Sequence, residues 1–138
     1  MKTFLIFLTF ILCLLPCNAE VLQGGIVHED GRTITPFYFQ GIQTGYGIQY
    51  DNDLYHNYDY DMQGNLTQYD ILDKPRTQFP HITTSYDANK NVISKSKSIS
   101  KTEQIVYNSD GSFKARWIGN DCYDEKGNKL SSRRELPK

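Results

Sequence analysis

Tyr60-Asp61-Met62-Gln63-Gly64-Asn65-Leu66-Thr67 returns three times downstream, and that recurrence sets the architecture of the chain. The later copies are Tyr86-Asp87-Ala88-Asn89-Lys90-Asn91-Val92, Tyr107-Asn108-Ser109-Asp110-Gly111-Ser112-Phe113 and Tyr123-Asp124-Glu125-Lys126-Gly127-Asn128-Lys129. Each holds a Tyr, an Asp or Asn, two spacers, a Gly-type position, a polar residue and the start of a new strand. Recurrence at a short period marks one supersecondary unit used several times. The unit is a β-hairpin, because a turn needing a positive backbone angle sits between strand-like runs.

The motif has a local physical basis. An Asp or Asn after the Tyr accepts a hydrogen bond from the backbone two residues on and closes the turn. Gly64, Gly111 and Gly127 supply the left-handed angle at little steric cost. Lys90 takes that place in the second copy, between Asn89 and Asn91. Asn tolerates left-handed backbone better than other non-Gly residues, so a one-residue shift of register is expected there. The Tyr ends the incoming strand, its ring over the hairpin face and its hydroxyl in water.

Working outward, Ile26-Val27-His28, Glu29-Asp30-Gly31-Arg32 and Thr33-Ile34-Thr35 read as strand, turn, strand. Between Gly41 and Ile48, glycines mark places where strands bulge or backbones approach closely. Downstream strands are expected over Ile82 to Tyr86, Val92 to Ile99, Glu103 to Tyr107, Phe113 to Ile118 and Lys129 to Ser131. No helical apolar period is sustained over a helix length. The expected fold class is all-β: an antiparallel meander of consecutive β-hairpins, forming an open twisted sheet or a small sandwich.

The N-terminus addresses the compartment. Met1-Lys2-Thr3 is a basic start, Phe4 to Leu15 an apolar run, and Pro16-Cys17-Asn18-Ala19 a small-residue end. This reads as a signal peptide over residues 1–19, cleaved after Ala19. The run falls short of the ~20 apolar residues of a membrane span. The expected location is therefore secreted or periplasmic, with lipid anchoring through Cys17 as the alternative. Residues 20–131 are expected to form a single hairpin-repeat domain, with 132–138 a flexible tail. Cys122 is then the one remaining cysteine, so no intramolecular disulfide is available, and it reads as a small buried hydrophobe.

The formal net charge of −1 conceals an uneven layout. Residues 20–73 carry nine acids against Arg32 alone, while residues 74–138 carry thirteen Lys and Arg against seven acids. Such a layout steers a charged partner, or else places acidic and basic strands side by side within one sheet. Lys95-Ser96-Lys97-Ser98-Ile99-Ser100-Lys101 alternates, so its charges line one strand face. That pattern reads as an edge strand guarded by Lys, and no nucleic acid is expected as a partner.

The four copies resemble the YD-repeat of RHS-type proteins, whose units run Tyr-Asp-x-x-Gly-Asn-Leu-Thr and onward to an Asp and a Gly-Arg. Tyr60 to Thr67 with Asp70, then Tyr86-Asp87 to Asn91-Val92-Ile93-Ser94, carry the likeness, which covers roughly residues 58–130. The chain departs from the pattern at Asp73-Lys74-Pro75-Arg76, and successive motif tyrosines lie 26, 21 and 16 residues apart. RHS proteins build large β-shells around a toxic cargo. A chain this short is at most similar to a degenerate repeat fragment. The resemblance also raises the option of an inhibitor or immunity partner of a secreted repeat toxin.

Catalytic signatures are thin. His28, His56 and His81 accompany many Ser and Asp, but there is no Gly-x-Ser-x-Gly elbow, no His-x-x-x-His, no Cys pair and no EF-hand loop. No catalytic residue, cofactor or metal is assigned, and an enzyme with a site assembled from loops stands as the alternative. The candidate ligand-contact patch is Tyr50, Asp51, Asp53, Tyr55, His56, Tyr58 and Asp59. Its rings suit apolar sugar faces, and its carboxylates suit hydroxyls or a hard cation. The bland alternative is a pair of tyrosine-rich strands with a solvated acidic face. The expected function is thus a non-enzymatic binding or structural module of the envelope or extracellular space, with an envelope glycan or a protein as partner.

Overall fold

A computed structural model describes residues 25–132. The expected signal peptide and the segment 133–138 lie outside the described residues. Eleven strands form one sheet in which spatial order follows chain order. They are β1 (Val27–Glu29), β2 (Arg32–Phe39), β3 (Ile42–Tyr50), β4 (His56–Asp61), β5 (Leu66–Leu72) and β6 (His81–Asp87), followed by β7 (Val92–Ser98), β8 (Glu103–Asn108), β9 (Phe113–Ile118), β10 (Asp121–Tyr123) and β11 (Lys129–Ser132). Every pairing is antiparallel, and only strands consecutive in sequence touch. The sheet is open and single-layered, so the sandwich alternative is not formed. Ser132, expected in the tail, ends β11 and donates a hydrogen bond to Asp121.

The recurring motif builds one end of this sheet. Asp61 Oδ1 accepts the backbone N–H groups of Gln63 and Asn65, both at 2.9 Å, and Oδ2 accepts the Asn65 amide at 3.1 Å. Gly64 N–H returns to Asp61 O, and Gly64 takes φ 83°. Asp124 with Asn128 repeats the arrangement. Asp87 with Asn91 repeats it too, so the expected register shift in the second copy does not occur. Lys90 itself adopts the left-handed angle, at φ 68°, because the Asp87 carboxylate fixes the turn on both sides of it. The third copy differs: Asn108 donates its amide to Ser112 Oγ, and Asp110 accepts from Ser112 instead. Each motif Tyr sits at a register shift, between Asp59/Tyr60, Ser85/Tyr86, Val106/Tyr107 and Cys122/Tyr123. A tight turn followed by a left-handed residue gives such a bulge, which adds local twist.

The other end carries the return loops 51–55, 73–80, 99–102 and 119–120. The last three shorten along the chain, and together with shorter strands from β8 to β10 they account for the shrinking motif spacing. Phe79-Pro80 is a cis peptide.

Strand alternation gives two unlike faces. Cross-strand partners Val27, Ile34, Ile48, Tyr58, Tyr69 and Tyr86 share one of them. Ile34 and Ile48 are its buried centre, with Val27, Tyr46, Tyr50 and Tyr60 packed around them. Tyr46 stacks on Tyr60 at 5.4 Å, and Tyr69 on Tyr86 at 5.0 Å. The opposite face is polar. Thr83, Ser85 and Ser96 there are 7, 7 and 8 % exposed, whereas Ile82 on the aromatic side is 46 % exposed. Among the described residues no second layer covers these hydroxyls, and the hollow they line marks this face as the concave one. Leu72 and Cys122 are buried on that face as well, Cys122 as a free thiol.

One expectation is corrected by strand order. β7 holds Lys95 and Lys97 but is internal, paired with β6 and β8, so it is not an edge strand. Its lysines do share one face, the aromatic side, opposite Thr84 and Ile82. Asp59, Asp61 and Asp70 lie on β4 and β5, and Lys95, Lys97, Lys114 and Arg116 on β7 and β9. Opposite charges also meet on neighbouring strands, Glu103 of β8 with Arg116 of β9 and Asp121 of β10 with Lys129 of β11, as the side-by-side reading of the charge layout expects.

Candidate functional site

The expected patch does not form one surface. Tyr50 ends β3, while Asp51, Asp53 and Tyr55 lie in the 51–55 loop. Tyr50 and Tyr58 meet edge to face at 6.1 Å, and His56 stacks on Tyr58 at 6.3 Å, all on the aromatic face. Asp59, one residue on, points to the polar face by alternation. Asp51 and Tyr55 are exposed. Asp53 binds within its own loop, accepting Tyr55 N–H at 3.0 Å and lying 2.9 Å from His56 Nδ1. The Tyr55 N–H first, then His56, holds its carboxyl below the usual carboxylate range.

A cation does occupy the acidic loop, and it is a side chain. The Arg76 guanidinium donates to the carbonyls of Tyr50, Asp53 and His56, and the Arg76 backbone N–H donates to Leu54 O at 2.9 Å. Arg76 thus ties the 73–80 loop onto the 51–55 loop. No cluster of three His, Cys, Asp or Glu able to hold a metal is found among the described residues. The guanidinium meets the local demand for positive charge.

The concave polar face holds a trough of about 530 Å³, within the size range of ligand sites. Its floor includes Gln49, Asn57, Asp70, Ser85, Ser94 and Ser96, and its end is walled by the return-loop residues Arg76, Phe79, Lys101 and Thr102. The register aligns these side chains in rows. Asn57, Asp70, Ser85 and Ser94 are successive cross-strand partners from β4 to β7. Gln49 Nε2 donates to Asn57 Oδ1 at 3.0 Å and Asn57 Nδ2 to Asp70 Oδ2 at 3.4 Å, while Gln68 Nε2 reaches Asp70 Oδ1 at 3.1 Å. A second row runs Trp117, Gln104, Ser98, His81. Gln104 donates to Ser96 Oγ at 3.0 Å, and His81 Nδ1 bonds Gln78 O at 2.8 Å.

Asp59 borders this surface without lining it. Its Oδ1 lies over Gly47 beside the Phe37 ring, where a Cβ on Gly47 would meet both at about 3 Å. Burial first, then the Asp70 charge, pushes its pKa up to about 6. The three histidines sit on separate strands with separate partners, Thr33, Asp53 and Gln78, and Cys122 lies on β10. These contacts bring no nucleophile, base and orienting group together.

Of the seven residues predicted, Tyr50, His56 and Tyr58 come together, and Asp53 joins them through His56. Asp51 and Tyr55 stand apart, and Asp59 lies on the far side. The trough residues carry no motif. Their one signal is the alternation of Ser94, Ser96 and Ser98, which draws the eye instead to the lysines between them. Compared with known proteins, the chain matches no family model, no curated protein and no solved structure. No helix among the described residues is long and apolar enough to cross a membrane.

Proposed function

We propose that the protein is an exported, non-enzymatic binding module of the cell envelope or extracellular space, with the concave polar trough as its contact surface. The observation that carries this reading is the row of buried and half-buried hydroxyl, amide and carboxylate groups on a face that no other layer of the described residues covers. A solvent-facing sheet surface ordinarily carries long charged side chains. Short Ser and Thr side chains over a hollow leave room for a polar ligand and supply its hydrogen bonds. The leader-like sequence of residues 1–19 supports export. The YD-repeat kinship belongs to the same reading, supported by the identical carboxylate-caged turn in three of the four motifs.

The test is affinity capture from native envelope and secreted extracts with three baits. These are the wild type, Asn57→Ala/Trp117→Ala in the trough, and Tyr55→Ala/Tyr58→Ala away from it. A species held by the wild type and the tyrosine variant but lost by the trough variant is the expected result. Loss confined to the tyrosine variant moves the contact surface to the acidic loop. Retention of nothing by a folded wild type removes the binding-module reading.

A further inference from the structure

We propose that the trough takes a linear, uncharged oligosaccharide lying across the strands. This inference rests on the binding-module reading and adds the ligand class and its direction. The first argument is one of repeat length. Side chains in each row are one strand apart, ~4.8 Å, which is close to the length of a single sugar ring. A sugar chain crossing the strands therefore meets a fresh polar side chain at each residue of the row Asn57, Asp70, Ser85 and Ser94. The second row, His81, Ser98, Gln104 and Trp117, lies four residues further along β6 and β7, ~13 Å away, so a chain that reaches from Asn57 to Trp117 crosses the strands obliquely. An extended peptide repeats at ~3.3 Å per residue and seeks a sheet edge for its backbone, not a sheet face.

The chemistry of the lining agrees. Serine and threonine hydroxyls both donate and accept, as sugar hydroxyls do. Asp70 accepts single hydrogen bonds from Asn57 and Gln68, and a carboxylate has about four acceptor sites, so capacity remains. Trp117 and Phe79, both half-buried, line opposite parts of the trough and offer aromatic surface to the C–H faces of sugars.

Charge selects against polyanions. The lining carries the carboxylates Asp70 and Glu103 against the cations Arg76 and Lys101. Glu103 is paired with Arg116, and Arg76 is engaged by loop carbonyls. Asp70 stands mid-row, bonded by the neutral amides of Asn57 and Gln68, where a phosphate, sulfate or uronate would meet repulsion.

The experiment is calorimetric titration of the full chain with cellohexaose and chitohexaose, their trimers, and a hexagalacturonate as the anionic counterpart. A neutral hexamer is expected to bind about tenfold more tightly than its trimer, and to lose about tenfold in Asn57→Ala and in Trp117→Ala. Tyr55→Ala, off the trough, is expected to bind as the wild type does. NMR titration of the wild type serves as a readout free of variants, with shifts expected in β4–β8 and not in the 51–55 loop. Absence of binding by either neutral hexamer, shifts confined to the 51–55 loop, or tighter binding of the hexagalacturonate overturns the proposal. If the neutral hexamers fail while extract capture stays trough-dependent, the ligand class is wrong and the binding module stands. Failure of both removes the two together.

Discussion

At the residue scale, the molecule depends on a few backbone positions and one half-buried acid. Lys90 holds a left-handed angle that costs a non-glycine residue about 1 kcal/mol, and its side chain is exposed. Lys90→Gly is therefore expected to raise stability by about that amount, read as a higher midpoint in urea. Gly45 lies against the Tyr60 carbonyl, so a methyl group there collides with backbone that has little freedom to move. At Gly47 the neighbours are the side chains of Phe37 and Asp59, which have more freedom to yield. Gly45→Ala is expected to cost roughly 3 kcal/mol and Gly47→Ala clearly less, measured by the same unfolding curves. Asp59 titrates in the opposite sense from the turn carboxylates. Its raised folded pKa means that its contribution is fully present below 3.8 and is lost as pH rises toward about 6. Asp61, Asp87 and Asp124 have lowered values, so their contributions hold above 3.8 and are lost as pH falls further. Stability should thus climb as pH drops through about 6 toward 3.8 and decline below 3.8. Asp59→Asn should abolish the climb and leave the acid limb, as followed by melting temperature against pH. With solvent screening of a half-buried group, the climb is on the order of 1 kcal/mol.

At the scale of elements, the two ends of the sheet obey different rules. The motif end is closed by local hydrogen bonds within five residues, and for that reason it is legible: Asp, Gly and the following strand are all in the sequence. The Asn that ends three of the motifs was readable only as a polar residue, because its amide contact to the Asp carboxylate requires the turn to be built first. The return-loop end is closed by Arg76, which reaches carbonyls 20 to 26 residues earlier in the chain. Nothing in the local pattern of Lys74-Pro75-Arg76 announces this contact. Arg76→Met should loosen both loops it joins. The expected signature is faster amide exchange in 51–56 and 73–78, with β8–β11 unchanged. Equal acceleration across the whole sheet would instead mean that Arg76 supports global stability. The split of the acidic tyrosine run has a similar origin. Residues adjacent in sequence on a strand face opposite ways, so Asp59 parts from Tyr58 however uniform the run looks.

For the molecule as a whole, the all-β hairpin meander was legible, because each turn carries its own signal and each turn joins neighbouring strands. The concave face was not, because curl is a property of many strands and no single residue encodes it. The single layer has an energetic consequence. Strands contact only their chain neighbours, so stability is distributed as a chain of nearest-neighbour interfaces with no shared core. Native-state amide exchange should show protection greatest in β5–β8 and falling toward β1 and β10–β11. One uniform opening energy for all strands would contradict this.

The strict agreement between chain order and spatial order makes the width of this sheet countable. Inserting one further carboxylate-caged hairpin between β7 and β8 requires no rethreading and no new long-range contact, since each added strand finds its partner beside it. Two strands widen the sheet by ~10 Å. The reach of the concave face is therefore set by an integer, the number of tandem motifs, and a lineage could retune it by duplicating or deleting a stretch of about twenty residues.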